Sequence, residues 1–600
     1  MDKRTLLALV LAAAAVMLFQ VFYFAPAERE ARRRAQEEER ARLATAIEDS
    51  LAAVAAAARD TTVPLALLPA EPAVTGARVQ AEAPGQTTAA GMPGVSGLAN
   101  LRSTPVREIV VETDLYEATF SSRGGVLTSL KLKQFEGLND ALVNLVRQEV
   151  RDAGGGEVGL VINSERGHVD LASVTFSVSD SVDEKSGRIR KLSFLAVDEA
   201  SGTSVVKTFS FRDASYVIGL EVELRGVSSK EEKLECLVGW TGGLSLTETN
   251  EKEELRAMAT VSLLGTEMIR DNVGSFKKEP LKEHSGNVMW SGVRSRYFIA
   301  ALVPPQGVVN RVMSFGDHES NVTGTQLAIP ISVTGVTKTN WTLYLGPIEL
   351  WKLRELGVGL ERTVNMGWSW IRPVSQLVLQ FLVACHKVFP NYGSVIILLS
   401  ALTKLLFYPL TKSSMKSMRE MQKLQPEIQK LKEKLKKDPQ RMNKEVMGLY
   451  KKHKVNPLGG CLPLLLQMPV FIALYNVLMH SIEMRRAHFV WWITDLSSPD
   501  TIAVVGGFAI HLLPLLMGAS MFWQQKMTPT DPRQAAMMYF MPVLMLVFFY
   551  SLPSGLVLYW TANNLMTIAQ QYVSKRSEGR EPVVEPAAGE KKKGSKNSRK

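Results

Sequence analysis

The sequence predicts an α-helical polytopic membrane protein that carries a large all-β domain outside the membrane. Three observations support this fold class: a long apolar run near the N-terminus, strand-like patterns between about residues 107 and 345, and several apolar runs after residue 367. With 600 residues, the chain is also too long for one ordinary domain. The formal net charge is +11, and basic residues are concentrated in two segments after residue 410.

The N-terminal run predicts an anchor helix over residues 1–27. Lys3 and Arg4 precede a nearly uninterrupted apolar stretch from Leu6 to Phe24. The apolar core of a signal peptide is ~7–15 residues long, and this stretch is longer. The length therefore favours an uncleaved anchor over a cleaved signal peptide.

Residues 28–104 are predicted to form a linker. The first part, to about residue 42, is rich in Glu and Arg and indicates a short solvated helix. The rest, to about residue 97, is rich in Ala, Pro, Thr and Gly and has few aromatic residues. A segment of this composition cannot bury a hydrophobic core, so we expect no domain there.

Residues 105–347 predict an antiparallel β-sandwich. Apolar and polar residues alternate in 205–212 and 220–224, and glycine-containing turns at 122–125 and 154–156 separate such runs. Short strands over about 240 residues are typical of a large sandwich. The segment contains no nucleotide-binding loop, nucleophile elbow or metal-ligand cluster, which predicts no catalytic residue, no cofactor and no metal.

The isolated histidines and the cysteines add no site. His168 and His284 are interpreted as ordinary surface or core residues. The three cysteines, Cys236, Cys385 and Cys461, lie in three different regions of the chain. They offer neither a disulfide framework nor a set of metal ligands.

Five spans are predicted after the β domain, within a core at 391–575, and the anchor helix makes six. Before them, residues 366–390 mix Gln376 and Gln380 with apolar residues and begin with two tryptophans. This pattern favours an amphipathic helix in the membrane interface over a short transmembrane helix. The five predicted spans lie near residues 394–411, 461–482, 503–524, 536–551 and 554–573.

The distribution of positive charge predicts the topology. Between residues 412 and 454 there are fourteen Lys or Arg residues and five Asp or Glu residues, and the tail at 576–600 is also basic. Basic loops stay in the cytoplasm, so both termini are expected inside and the β domain outside. Apolar residues at helical spacing, interrupted at Asp438–Pro439, predict a cytoplasmic helical hairpin over residues 413–455. A solvated charged loop is the alternative.

Lys404 is the residue of the predicted spans that most needs an explanation. It lies eight residues before Lys412, which marks the end of its apolar stretch. In a straight helix this spacing is ~12 Å, close to the bilayer midplane. A cation there costs at least ~2.5–3.5 kcal/mol, so it should face a bundle interior or a wet cavity. The alternative is a lysine that reaches the interface on its long stem.

Polar residues near the spans could form such a cavity. Ser400 lies one helical turn before Lys404, on the same face. The predicted spans contain no Asp or Glu, which argues against proton-coupled transport. Taken singly, each of the other polar residues is better explained by a hydrogen bond in helix packing than by a groove, whereas as a set facing Lys404 they would hold water. These residues are Gln467, Asn476, Gln524, Gln525, Thr561 and Asn564.

Three motifs in this region carry a family resemblance. They are Tyr-Pro-Leu-Thr from Tyr408, Asn-Pro-Leu-Gly-Gly-Cys-Leu-Pro-Leu-Leu-Leu-Gln-Met-Pro-Val-Phe from Asn456, and Pro-Ser-Gly-Leu-Val-Leu-Tyr-Trp from Pro553. Together they resemble the YidC membrane-protein insertases of bacteria, and the resemblance covers about residues 366–575. In the outer domain, Phe-Ser-Ser-Arg-Gly-Gly from Phe120 resembles the Gram-negative form of this family.

The resemblance implies a non-enzymatic insertase and folding chaperone of the inner membrane. In this family, the last five spans form an insertase core around a hydrophilic groove, and the outer domain is a periplasmic β-supersandwich. A positive residue of the second span faces that groove. The matching residue here is Lys404, where the family usually has Arg, so the charge is kept but the bidentate fork is lost. The family's other substrate contacts match Ser400, Met468, Phe471, Phe548 and Trp560.

The resemblance also implies the partners. Nascent membrane proteins and membrane lipids are expected, with no small-molecule substrate. The chain would act alone or with the Sec translocon, and the ribosome and the signal recognition machinery are further candidate partners. The alternatives are a transporter with Lys404 as an anion site, a carbohydrate-acting enzyme suggested by fold analogy, and a scaffold.

Overall fold

The structure is a computed structural model, and it describes residues 105–578. Within this range it leaves out residues 165–166, 185, 228–232, 333–335, 436–437, 454, 456–461, 506–507 and 528–531. The predictions for the anchor helix at 1–27, for the linker at 28–104 and for nearly all of the basic tail lie outside the described residues. The described part belongs to one compact unit of residues 82–600.

The first part of this unit is a β domain, whose described residues form 19 strands in three antiparallel sheets. The strand order is β1-β2-β3-β4 in one sheet, β13-β12-β15-β16-β19-β10-β9-β8-β7 in the second and β14-β17-β18-β11-β5-β6 in the third. The strands are β1 (Glu108–Glu112), β2 (Tyr116–Ser121), β3 (Val126–Glu136), β4 (Leu142–Asn144), β5 (Gly159–Ser164), β6 (Gly167–Asp170), β7 (Ser177–Val182), β8 (Ile189–Asp198), β9 (Thr203–Ser210), β10 (Val217–Arg225), β11 (Glu235–Trp240), β12 (Ala259–Leu264), β13 (Glu267–Asn272), β14 (Leu281–Ser285), β15 (Val288–Arg294), β16 (Phe298–Val303), β17 (Arg311–Asp317), β18 (Val322–Pro330) and β19 (Val336–Pro347).

Strand β9 shows how the alternating sequence directs side chains into the core. Val205, Lys207 and Phe209 are buried, whereas the residues between them are half-buried. The ring of Phe209 lies 4.7 Å from that of Phe120. A strand presents alternate residues to one face, so the period of two places these three side chains together inside the domain.

Helices make up most of the chain after the β domain. Three short helices, α1 (Gln148–Asp152), α2 (Glu251–Ala257) and α3 (Leu350–Glu355), belong to the β domain or border it. The later helices are α4 (Arg372–His386), α5 (Tyr392–Leu406), α6 (Tyr408–Lys434), α7 (Pro439–Lys452), α8 (Leu462–His480), α9 (Leu512–Met527), α10 (Pro532–Phe549) and α11 (Ser554–Glu578). Taken singly, none of these described helices has the length and apolar character of a membrane span, whereas the bent pair Tyr392–Leu406 and Tyr408–Ser414 together does.

The prediction of a helix from residue 503 was wrong at its start. Strands β20 (Thr501–Val505) and β21 (Phe508–His511) pair antiparallel there, and α9 begins only at Leu512. Ile502, Val504 and Val505 are β-branched and precede two glycines in the sequence, a pattern that favours a hairpin over a helix.

The predicted span at 394–411 is formed by two helical segments rather than by one continuous helix. The chain breaks between α5 and α6 at Phe407, and the two segments meet at an angle of 61°. Pro409 lies in the first turn of α6, where it has no N–H for the Leu405 carbonyl and its ring crowds that oxygen. Lys404 consequently lies in the last turn of α5. Because the chain bends between Lys404 and Lys412, the ~12 Å expected for a straight helix overestimates their separation along the axis of α5.

Helices α6 and α7 form an antiparallel hairpin around an apolar seam. Leu424 and Ile428 of α6 are buried and pack with Val446 and Leu449 of α7. The side chain of Asp438 caps α7 by accepting a hydrogen bond from the Arg441 N–H.

Helix α4 packs one face on α8 and α5 and leaves another face open. Val378, Leu379 and Leu382 are buried, whereas Leu377 is 66% exposed. Two exposed tryptophans precede the helix, Trp368 and Trp370, with their rings stacked 6.1 Å apart. This amphipathic character agrees with a helix in the interface, and its place in the membrane stays a prediction.

The loop after α8 attaches the helical region to the β domain. The Arg485 side chain is only 3% exposed, pairs with Glu248 at 2.7 Å and lies over the Phe298 ring at 5.4 Å. It also donates to the Glu136 carbonyl at 2.6 Å. One side chain therefore bridges the helical region and three places in the β domain.

Candidate functional site

Lys404 contacts the last helix rather than a carboxylate. Its Nζ donates to Thr567 Oγ1 of α11 at 2.6 Å, and that hydroxyl donates to the Asn563 carbonyl at 2.7 Å. The side chain is half-buried, and within the part of the chain that the structure describes it forms no ion pair. A half-buried ammonium group held by one hydroxyl can still bind an anionic partner.

Ser400 lies on the same face of α5 but is fully buried. Its hydroxyl donates to the Ile396 carbonyl at 3.0 Å and lies 3.4 Å from the Tyr559 carbonyl of α11. Ser400 thus contacts the backbone of α11, while Lys404, one turn further along, reaches a side chain of the same helix. The two predicted residues lie together at the α5–α11 contact.

Helix α11 presents a polar stripe at this contact, formed by Asn563, Thr567 and Gln571. These three residues recur every four positions and so share one helix face. The side-chain oxygens of Asn563 and Gln571 are buried and lack a hydrogen-bond partner among the residues described. Buried oxygens of this kind require a polar neighbour, which is consistent with a wet surface.

Asn563, Thr567 and Gln571 were not among the polar residues named from the sequence. Thr561 and Asn564 were named, with helix packing as the favoured role of each, and both make hydrogen bonds within the helical region. Thr561 donates to the Val557 carbonyl at 2.7 Å, and Asn564 donates to Ser520 of α9 at 3.2 Å. The spacing of four residues from Asn563 to Gln571 could have identified the stripe in advance.

An aromatic cluster lies beside the polar stripe, nearer the start of α11. The Trp560 ring lies 5.2 Å from both Phe471 of α8 and Phe549 of α10. Along α11, Trp560 precedes Thr567 by seven residues, roughly 10 Å. The predicted residues Phe471 and Trp560 are therefore in contact, and Phe549 is a member of the cluster that sequence reasoning missed.

The two remaining predicted residues are more exposed than the cluster. Met468 of α8 is 37% exposed and Phe548 of α10 is 57% exposed. Gln467, next to Met468, donates to the Tyr559 hydroxyl at 3.1 Å. Met468 and Phe548 thus offer apolar surface on two helices that flank the aromatic cluster.

Comparison with known proteins places these features in a family. The family model described as "60Kd inner membrane protein" matches residues 384–581, and that described as "YidC periplasmic domain" matches residues 108–373. The membrane protein insertase YidC of Syntrophus aciditrophicus (strain SB) is 34% identical over 586 residues, or 95% of this chain and 99% of the relative. That of Geotalea daltonii is 37% identical over 481 residues, or 78% and 87%.

A solved structure gives a further match. It is that of an active YidC insertase with its first transmembrane domain resolved, and it is 20% identical with a TM-score of 0.35. The match covers 80% of this chain and 96% of the solved chain.

The fold and these relatives define a bacterial inner-membrane protein with a periplasmic β-rich domain and a helical C-terminal region. The chain belongs to the YidC family of membrane protein insertases. Its relatives are membrane protein insertases, and the chain is accordingly not an enzyme. This excludes the carbohydrate-acting enzyme considered from fold analogy.

Proposed function

We propose that this chain inserts nascent membrane proteins along the contact between α5 and α11 and helps them to fold. The polar tail of a substrate would enter beside Lys404 and the polar stripe of α11. Its apolar segment would move along the exposed surface of α8 and α10, where Met468 and Phe548 lie. A polar path through part of the bilayer shortens the hydrocarbon distance for the tail and so lowers the barrier to crossing.

The observation that carries this proposal is the half-buried ammonium group of Lys404, for which Thr567 is the one hydrogen-bond partner among the described residues. At 4 Å from a carboxylate and an effective dielectric of ~20, its attraction would be about 4 kcal/mol, and contact with water would reduce it. An attraction of this size would draw the acidic tail of a substrate towards Lys404 and would still allow the tail to leave. Ser400, buried at the same contact, would set the spacing of α5 and α11.

The aromatic cluster supports a groove that is closed on one side. Phe471, Phe549 and Trp560 pack against each other near the first residues of α11, close to the short connection at 550–553 that joins α10 to α11. The polar stripe continues from there towards the C-terminal end of α11. We infer an arrangement in which water and polar substrate enter from the cytoplasm and the cluster seals the periplasmic end.

We propose the topology of six spans with a five-helix core. The core would comprise α5 with the start of α6, then α8, α9, α10 and α11, and the predicted anchor at 1–27 would add the sixth span. The basic exposed surfaces of α6 and α7 support a cytoplasmic hairpin, and from it we infer that both termini are inside and the β domain is in the periplasm.

The proposed partners follow from the same surfaces. Nascent membrane proteins are the substrates, and membrane lipids receive them. The basic hairpin is suited to an acidic or nucleic-acid surface, so the ribosome and the signal recognition machinery are proposed as partners there. Action either alone or together with the Sec translocon is part of the proposal. No cofactor, metal or small-molecule substrate is part of the proposal.

Site-specific photo-crosslinking tests the proposal. A photoreactive residue would be placed at Met468 and, separately, at Phe548, and the chain would be offered ribosome-bound nascent chains with an acidic external tail. We expect adducts at both positions once the apolar segment has left the ribosome. The matched control is Leu377 of α4, which is 66% exposed but lies outside the α5–α11 region. Adducts of equal yield at Leu377, or none at the two test positions, would contradict the proposed path.

A further inference from the structure

Two neighbouring cavities lie where the β domain meets the end of α8. Their volumes are about 210 Å³ and about 160 Å³, and they share Arg270, Arg294 and Asn365. The first is also lined by Met479 and His480 of α8. The other charged residues that line the two cavities are Glu253, Arg256, Arg296, Arg362 and Arg372.

Arg294 is a buried cation in this arginine cluster. It is 2% exposed and donates to the carbonyls of Ser295, Thr363 and Arg296. Burial, with the nearby charge of Arg270, lowers the pKa of the Arg294 guanidinium to about 9. Neutral carbonyls satisfy its N–H groups but do not neutralise its charge.

Arg296, which also lines the first cavity, is bound in a similar way. It is 5% exposed, and it donates to the Met479 carbonyl at 3.0 Å and the Ser497 carbonyl at 3.3 Å. Neither Arg294 nor Arg296 pairs with a carboxylate from the described ranges. Two buried cations with neutral partners are costly, and a bound anion would offset that cost.

The acidic groups near the cavities do not supply this anion. Glu253 is the one acidic residue among the described residues that line them, and it already pairs with Arg256 at 2.6 Å. Arg270, at the exposed edge, donates to the Ala257 carbonyl and to Asn272, both at 3.1 Å. The cavities therefore keep a surplus of positive charge around a space large enough for a small anion.

The position of the cavities indicates the source of the anion. Arg372 is the first residue of α4, and the exposed, stacked rings of Trp368 and Trp370 precede it. Exposed tryptophans of this kind lie at headgroup level in membrane proteins. Arginine donors in a fork match the oxygens of a phosphate group.

We propose that the two cavities lined by Arg270 and Arg294, here called the arginine cavities, bind the phosphate group of an anionic phospholipid headgroup in the periplasmic leaflet. Such a lipid would neutralise the buried guanidinium groups and hold the β domain against the membrane surface. This site is separate from the α5–α11 contact. Its lipid would be a structural ligand and not the lipid phase into which substrates are released.

Native mass spectrometry of the purified full chain in detergent tests this site without any substrate protein. The probes are dimyristoylphosphatidylglycerol, the zwitterionic dimyristoylphosphatidylcholine and inorganic phosphate. We expect the double variant Arg270→Gln/Arg372→Gln, changed only at exposed positions, to lose at least fivefold of its phosphatidylglycerol occupancy. Arg151→Gln in the β domain, whose side chain is 46% exposed, is the matched control and should bind as the unaltered chain does.

Three results would overturn the proposal. Equal phosphatidylglycerol binding by the double variant and the control would exclude the arginine cavities as its site. Equal binding of phosphatidylcholine would exclude recognition of net charge. Displacement of phosphatidylglycerol by millimolar inorganic phosphate would show a site for free phosphate rather than lipid. Because no insertion is measured, failure here leaves the proposed insertion path untouched, and failure of the crosslinking test leaves this site untouched.

Discussion

Two charged side chains of the β domain, Lys207 and Glu157, are buried and hydrogen-bonded to backbone groups. Lys207 is on the inner face of β9 and donates to the carbonyls of Gly125 at 2.6 Å and Val158 at 2.7 Å. Glu157 is fully buried and accepts hydrogen bonds from the N–H groups of Thr241 at 2.7 Å and Gly242 at 2.8 Å. Both side chains are held by backbone groups, so they specify the local packing rather than a catalytic site.

These buried groups should make the stability of the β domain depend on pH. Burial raises the pKa of Glu157 from its ordinary value of 4.5 to about 8. The stability that this group contributes is therefore fully present below about pH 4.5 and is lost as the pH rises through 8. Burial lowers the pKa of Lys207 to about 7, so its contribution is lost in the opposite direction, as the pH falls through 7.

Glu157→Gln isolates the first of these effects. We expect the variant to lose less stability between pH 5 and pH 8 than the unaltered chain, by at most about 1.4 kcal/mol for each pH unit. Hydrogen exchange of strand β5 in the full-length protein would measure it. Glu117→Gln, at a half-exposed position on β2, is the control and should keep the original pH dependence. Identical slopes for the Glu157→Gln variant and the unaltered chain would contradict the prediction.

Lys404 is the residue on which the proposed insertion path depends. Replacement by Glu should reduce insertion of acidic-tailed substrates roughly tenfold, about 1.4 kcal/mol, because attraction becomes repulsion in a partly wet site. Lys404→Arg should stay near the original level because the charge is kept. Insertion yield in reconstituted vesicles is the measurement.

A relocated charge provides the control for Lys404. The double variant Lys404→Gln/Thr567→Lys moves the ammonium group to α11, within reach of its original position, because Thr567 contacts Lys404 Nζ at 2.6 Å. It should recover much of the insertion that Lys404→Gln loses. Equal insertion by Lys404→Glu and Lys404→Arg would contradict the role of charge.

At the scale of elements, the α6–α7 hairpin depends on its apolar seam. Ile428 is 5% exposed and packs with Val446 and Leu449 across the hairpin, while the faces away from the seam are basic. Most helical stability comes from packing of an apolar face, so a hairpin this polar depends on few contacts.

Ile428→Asp should therefore separate α7 from α6. A carboxylate in the seam is unpaired and costly to bury, so we expect faster hydrogen exchange and faster proteolysis within α7. The matched control is Glu427→Asp, a change at the exposed neighbouring position, which should leave both rates unaltered. Unchanged exchange in the Ile428→Asp variant would show that the seam does not hold the hairpin.

At the scale of the whole molecule, the β domain and the helical region are coupled through Arg485. Its guanidinium pairs with Glu248, contacts the Phe298 ring and donates to the Glu136 carbonyl. The arginine cavities lie at the same junction, on the side of Met479. Attachment of the periplasmic domain thus combines direct ion pairing with the proposed lipid site.

Arg485→Ala should weaken this attachment by about 3–5 kcal/mol, because it leaves the largely buried carboxylate of Glu248 without a partner. Hydrogen exchange of residues 481–500 in the full-length protein measures the loss. Arg486→Ala is the matched control, since that side chain is 32% exposed and should cost about 0–1 kcal/mol. Equal effects of the two substitutions would rule out a special role for Arg485.

Local sequence patterns predicted several features of the elements. The strand alternation in 205–212 predicts which side chains of β9 face inwards, and the Asp438–Pro439 break predicts where α7 begins. These features depend on neighbouring residues alone. The same local reasoning failed at 501–511, where a hairpin replaces the expected helix, because a short apolar run is compatible with either structure until its neighbours are known.

By itself, the sequence determined the order of a β domain and a helical region, the charge pattern of the hairpin and the motifs that point to the YidC family. Only the tertiary structure decided which groups meet. Three of the features it decided bring together residues that are distant in sequence: the Lys404–Thr567 contact, the aromatic cluster and the arginine cavities. The fourth, the bend at Phe407, depends on the backbone conformation of a single residue. Periodicity reports the face of an element, whereas these contacts depend on how separate elements pack against one another.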